Sequence, residues 1–288
     1  MVLTFSTIKT KLETDGYVII PNILNESEIE IALDYFRDWL KNLNSDYEWM
    51  NPHGIFKFHQ VGHQRHAWYL RTRPAIQDVF RFLWDTDDIV SSFDGSCYIP
   101  KTLSKRDTVW THTDQAPASK GLKCYQSFVS LTDNKERTLI VYKGSHLLHQ
   151  RYFEERGITS TKNWHKIDKD YLDTIQNTRE VLHVPRGALV LWDSRTFHQN
   201  QYGCPGSEER IVQYICYLPQ NNSGNSESIK NKRKKYFDER RTTSHWPYPI
   251  AVNGLQPQTY GDKTKEINYS LLPPIDLSDM MNDIEAIL

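Results

Sequence analysis

Cysteine is scarce in this chain of 288 residues: Cys97, Cys124, Cys204 and Cys216 are the whole set, and no two form a C-x-x-C pair. That excludes a disulfide framework or a cysteine-built zinc module, and reduced structural thiols are expected. Long apolar runs are also missing. Nothing approaches the roughly 18 residues a membrane span needs, and the opening MVLTFSTIKTKLETDG is polar where a signal peptide is apolar, so a soluble, cytoplasmic protein is expected. Neither charge sign dominates, since 35 Lys and Arg meet 36 Asp and Glu. A net charge of -1 gives no whole-molecule field to draw nucleic acid or an anionic membrane. What the chain has instead is aromatic mass, with 16 Tyr, 11 Phe and 8 Trp, and 11 His. The aromatics predict a core of few, large side chains, and the histidines are where chemistry is to be sought.

Local signals order the chain into three stretches of a single domain. Ser6 to Thr14 reads as a short helix closed by Gly16, and Tyr17 to Ile20 as a strand. Asn25 with Glu28 resembles a capping box opening a helix whose apolar stripe is Ile29, Leu33, Phe36, Leu40 and Leu43. Pro74 is placed to begin another helix. From about residue 89 to 219 the texture changes to short β-branched and aromatic runs: 108–113, 127–131, 139–142, 188–192 and 211–218. Such strands in series, without helices regularly between them, predict a mainly β core of jelly-roll type. A C-terminal extension, about 220–288, carries the basic run Lys230, Lys232, Arg233, Lys234 and Lys235. It ends in a short helix over 278–288 that could close a site or meet a partner.

The chemistry centres on Trp110-Thr111-His112-Thr113-Asp114. Residues two apart on a strand project together, so His112 and Asp114 can chelate one metal ion. His198 follows the 188–192 run, and a second imidazole from a neighbouring strand completes two His and one carboxylate. That facial triad leaves coordination positions open and belongs to non-heme Fe(II) oxygenases. Arg210 lies twelve positions further on, at the start of a strand, and a buried guanidinium needs an anion. A 2-oxoacid held on iron by its keto and C1 carboxylate groups leaves a distal carboxylate for it. The inferred cosubstrate is 2-oxoglutarate, with O2 as oxidant.

These residues carry a resemblance. The chain looks like the Fe(II)/2-oxoglutarate dioxygenases of the phytanoyl-CoA dioxygenase type, from roughly Thr14 to Pro219. The matching motifs are Asp15-Gly16-Tyr17-Val18-Ile19-Ile20-Pro21, His112-Thr113-Asp114-Gln115, Leu131-Thr132-Asp133-Asn134, Lys143-Gly144-Ser145-His146 and Trp192-Asp193-Ser194-Arg195-Thr196-Phe197-His198. The resemblance implies a double-stranded β-helix, cupin-like, with flanking N-terminal helices. It implies His112, Asp114 and His198 as iron ligands and Arg210 as partner of the distal carboxylate. Gln126 matches a position near the cosubstrate, and Asn200 one that helps hold its carboxylate. Lys135-Glu136-Arg137-Thr138 departs from the family pattern, so a remodelled turn is expected there.

The expected activity is hydroxylation of a C–H bond in a small molecule, with release of succinate and CO2. Two alternatives are an oxygenase acting on nucleic acid or a protein side chain, and a non-catalytic metal-binding jelly roll. His146 is expected in a capped turn. His53, His59, His63 and His66 match no common zinc spacing and are expected as structural or pocket residues, His63 nearest an active-site mouth. Trp110 and Trp192 are expected in the core, and the basic run on a solvated helix face, with Tyr236 and Phe237 as the aromatics a nucleic-acid patch would need.

Overall fold

A computed structural model describes residues 3–43 and 51–288. The chain divides into two units, each made of two separate stretches: Met1–Asn22 with Ile99–Arg210, and Ile23–Tyr98 with Ile211–Leu288.

The first unit holds three strands of one sheet and all five of another. In one, Leu189–Asp193 lies between Tyr17–Ile20 and Tyr125–Ser130, with Trp192 opposite both Tyr17 and Gln126. The other runs in the order His165–Lys166, His112–Thr113, His198–Asn200, Leu139–Tyr142 and Arg179–Val181. Behind that second sheet, Ile140, Tyr142 and Phe197 bury against Tyr152 and Phe153 of the helix His149–Glu155 and Leu172 of the helix Lys169–Thr174. The aromatic content is spent here, where a few large rings fill the space between short helices and short strands.

The helix Phe5–Asp15 feeds the first sheet through Gly16, whose φ of +80° is a left-handed turn. A Cβ at Gly16 would come within 2.5 Å of His146 Nδ1, so only glycine allows both the turn and the close approach. His146 is the expected turn residue, with Nε2 3.0 Å from the Glu13 carbonyl. The turn at Lys135 is built around Glu208. One carboxylate oxygen of Glu208 accepts the N–H groups of Lys135, Glu136 and Arg137 at 2.6, 2.7 and 3.0 Å. Partial burial alone would raise this carboxyl, but backbone N–H donation outweighs it and holds the group below its usual range.

The second unit carries most of the helices. Asn25 and Glu28 form the expected capping box at the head of Glu26–Lys41. Its buried stripe is Ile29, Leu33 and Phe36 as read from the sequence, with Trp39 buried in place of Leu40. Pro74 opens the helix Pro74–Trp84. The helix Glu227–Asp238 exposes Lys230, Lys232, Lys234 and Lys235 but turns Arg233 and Phe237 inward. Phe237 packs against His63 and Trp68, so it is no stacking platform for a base. The C-terminal residues form Ser278–Met280 and Met281–Glu285, and Ile287 O accepts the Ser91 N–H at 2.9 Å. They therefore complete this unit's own packing.

The expectation of a mainly β chain is corrected. Among the described residues helix takes 34% and strand 18%. Many strands are two to four residues long, and short helices fill connections between them. No helix among the described residues is long and apolar enough to cross a membrane.

Three histidines of the second unit are buried. His63 and His66 are fully enclosed, with His63 Nε2 3.0 Å from Arg241 O and His66 Nε2 3.0 Å from Ser96 Oγ. His63 thus sits in an aromatic cluster rather than at a mouth. Burial lowers His66 to about 3 and His59 to about 4. The unfolded chain binds these protons near pH 6.5, so unfolding takes up protons between that pH and the lower folded-state values. Stability therefore falls as pH drops from 6.5 towards 4. In urea titrations, His66→Gln should remove about 2 kcal/mol of the loss seen between pH 7 and pH 5; an unchanged pH slope would contradict the assignment.

Candidate metal centre

The centre is assembled in the first unit by strand register. His112 and His198 are direct antiparallel partners, so their side chains leave the same face of the sheet and their rings lie 4.4 Å apart. Asp114 stands two residues beyond His112 and returns its carboxylate to the same point. Its Oδ2 is 3.5 Å from His112 Nε2 and 3.3 Å from His198 Nε2. The ligand atoms of the three buried residues all lie within 4.8 Å of one another, and among the described residues no other group of three or more His, Cys, Asp or Glu does this.

The surroundings prepare these atoms for a cation. His112 Nδ1 faces the Trp110 carbonyl at 3.3 Å and His198 Nδ1 the Thr196 carbonyl at 2.9 Å. With the proton on Nδ1, each Nε2 keeps its lone pair for a metal. Burial lowers the His112 pKa, outweighing the opposite pull of Asp114, so this ring is neutral at pH 7. Gln126 Nε2 donates to Asp114 Oδ2 at 3.0 Å and fixes the carboxylate. Gln199, next to His198 on its strand, accepts from Thr111 Oγ1 at 2.7 Å and Trp110 N at 3.1 Å and locks the approach to His112. After Asp114, Gln115 ties down the chain by donating to Ser119 O and Gly121 O and accepting from Ser194 Oγ.

Arg210 is completely buried. Its Nη1 donates to Asn200 Oδ1 at 2.9 Å and Thr138 O at 3.2 Å, and its Cζ lies 5.2 Å over the Phe128 ring. Among the described residues Nε and Nη2 have no hydrogen-bond partner, and neither has Gln126 Oε1. Glu208, two positions before Arg210, is engaged by the Lys135 turn instead. Asn200 reaches Arg210 itself, so it orients the guanidinium. From Phe128 the ring contacts continue through Trp192, 5.9 Å away, to His198 at 5.2 Å. Trp192 is buried as expected, but it packs directly on a candidate ligand. Trp110 likewise stacks on His112 at 4.9 Å.

The structure thus brings together His112, Asp114, His198 and Gln126, and joins Arg210 to Asn200. His146 and the four histidines of residues 53–66 lie outside the cluster. The carbonyls of Trp110, Thr196 and Thr138 were not readable from sequence, because a carbonyl has no residue signature.

The phytanoyl-CoA dioxygenase (PhyH) family matches residues 12–201. The chain belongs to the phytanoyl-CoA dioxygenase family. Its cofactors are accordingly Fe(II), 2-oxoglutarate and O2, and it is a 2-oxoglutarate-dependent oxygenase. Ava biosynthesis cluster protein O from Aspergillus versicolor is 28% identical over 266 residues, covering 83% of this chain and 85% of its own. The epimerase SnoN, solved with Fe3+, alpha ketoglutarate and nogalamycin RO, is 21% identical with a TM-score of 0.55, covering 75% of this chain and 83% of its own. EctD from S. alaskensis, solved with 2-oxoglutarate and 5-hydroxyectoine, is 16% identical with a TM-score of 0.53, covering 74% and 76%. These structures share the fold of this phytanoyl-CoA dioxygenase family member.

The donor set fits iron, since two imidazoles and one carboxylate on one face leave open positions. The unpartnered guanidinium nitrogens of Arg210 fit a carboxylate. Removing the Gln126 contact frees the Asp114 carboxylate, so Gln126→Leu should weaken metal binding about tenfold in calorimetric titration. Unchanged affinity would show that Asp114 needs no such support.

Proposed function

We propose that the whole chain works as one Fe(II)- and 2-oxoglutarate-dependent hydroxylase acting on a C–H bond of a small molecule, within a double-stranded β-helix framework. The observation that carries this reading is Arg210, a buried cation with Nε and Nη2 unpartnered, in the unit that holds the His112, Asp114 and His198 cluster. A guanidinium removed from water costs several kcal/mol unless an anion meets it. The distal carboxylate of 2-oxoglutarate is that anion.

In this reading His112 Nε2, His198 Nε2 and a carboxylate oxygen of Asp114 hold the iron. Bound iron supplies oxidative decarboxylation of 2-oxoglutarate to succinate and CO2, together with transfer of one oxygen atom from O2 to substrate. The chain's part is to bind and exclude. Arg210 takes the distal carboxylate through Nε and Nη2, Asn200 and Thr138 fix the plane of its fork, and Gln126 keeps Asp114 turned to the metal. Burial of all three ligands keeps water from competing for the centre. A small-molecule substrate is supported by the relatives, whose names and bound compounds point to biosynthesis and to small molecules.

Anaerobic addition of Fe(II) and 2-oxoglutarate to metal-free protein should produce the visible charge-transfer band of the chelated complex, and air should then yield succinate. The band should be absent in Asp114→Ala. Arg210→Met should weaken 2-oxoglutarate by about ten- to a hundredfold while leaving metal affinity unchanged. Wild-type cosubstrate affinity in Arg210→Met would overturn the assignment of Arg210. Tight zinc retention without a band would overturn the enzyme reading.

A further inference from the structure

Trp164 is 51% exposed, and its φ of +67° lies in the left-handed region that bulky side chains rarely occupy. It is not a loose loop tip. Around it the chain is fastened to the His112 strand and the residues on either side of it: Ala118 N donates to Ser160 O at 3.1 Å, Ala116 N to Asn163 Oδ1 at 3.1 Å and Ile167 N to Thr111 O at 2.8 Å, while His165 pairs with Thr113. These bonds hold the backbone conformation from both sides. A glycine or asparagine would adopt it with less strain, and a polar residue would suit the exposure better. Folding alone therefore gives no reason for an indole here, and backbone strain of this kind gathers at ligand clamps.

The indole's position supplies a reason. It lies 5.5 Å from the His112 ring at an interplanar angle of 31°. Trp110 stacks on the same imidazole at 4.9 Å and 19°, and its own indole N–H is anchored to Asn200 O at 3.1 Å. One indole is thus rigidly fixed and partly covered, while the other presents half its surface to solvent beside a candidate metal ligand.

We propose that Trp164, supported by Trp110, forms the substrate-recognition wall of this centre, and that the substrate carries a flat aromatic or conjugated ring system next to the carbon that is oxidised. The inference rests on the iron and 2-oxoglutarate reading above and adds the substrate class. An indole face attracts a planar π system by offset stacking beyond the gain from buried area. A saturated ring of the same carbon skeleton has no such face and is too thick to lie flat against it.

The test uses 2-naphthol and its saturated counterpart decahydro-2-naphthol as probes, titrated calorimetrically into the anaerobic Fe(II) and 2-oxoglutarate complex of the full chain. The charge-transfer band is recorded before either probe is added. The wild-type protein should bind 2-naphthol about fivefold more tightly than the saturated alcohol. Trp164→Gly should erase that preference while keeping the band and a melting temperature at or above that of the wild type, since glycine relaxes the left-handed backbone. Trp164→Asn, which also tolerates that region, should erase the preference too if glycine loosens the loop. Equal affinities in the wild type, or a preference surviving in both variants, would overturn this proposal alone. Absence of the band in the wild type would overturn the iron and cosubstrate reading and this proposal with it.

Discussion

Two short strands pair so that His112 faces His198, and the candidate centre depends on that register. A slip by one residue would send one imidazole to the opposite side of the sheet and leave Asp114 without a second nitrogen to meet. The register is specified redundantly. Gln199, next to His198, reaches across to Thr111 and Trp110, while Phe197 and Ile140 bury in the aromatic cluster behind the sheet. A strand pair this short has little cohesion of its own, so side-chain bonds and ring packing do what a longer ladder would otherwise do.

Around that register the polar groups are arranged for visitors rather than for one another. The imidazoles turn Nδ1 to backbone carbonyls and leave Nε2 inward. Gln126 spends its amide N–H on Asp114, and Arg210 spends only one terminal nitrogen on its neighbours. A protein interior ordinarily satisfies its donors and acceptors. Unpaired ones gathered in the unit that holds a two-histidine, one-carboxylate cluster support the proposed pairing of a bound anion with a bound cation.

Much of this was legible in the sequence, for physical reasons that differ by element. Tyr17–Ile20 and Leu139–Tyr142 are runs whose β-branched and aromatic residues decide their own conformation, and the Asn25 capping box is a local hydrogen-bond pattern. The alternation that sends His112 and Asp114 to one point follows from strand geometry alone. Other features depend on partners distant along the chain. The run read as strand over 108–113 is a strand only at His112–Thr113, because Gln199 binds its earlier backbone groups. The helices His149–Glu155 and Lys169–Thr174 are too short for periodicity to reveal and exist because Tyr152, Phe153 and Leu172 find the back of a sheet. Glu208 carries no local sign of its role and is the anchor of a turn more than seventy residues earlier. Trp164 gave no signal, since neither left-handed backbone nor a tryptophan beside a distant histidine is written locally.

Arg210 also ties the economy of the fold to its ligand. A cation stored in the interior with part of its fork unanswered raises the free energy of the empty protein, and under the proposed role of Arg210 an arriving dicarboxylate lowers it again. Occupancy and folding then draw on the same free energy, so any molecule that fills the fork acts as a stabiliser of the native state in proportion to its concentration over its dissociation constant. On the assignment proposed for Arg210, the stability of the folded chain then rises with the supply of its cosubstrate.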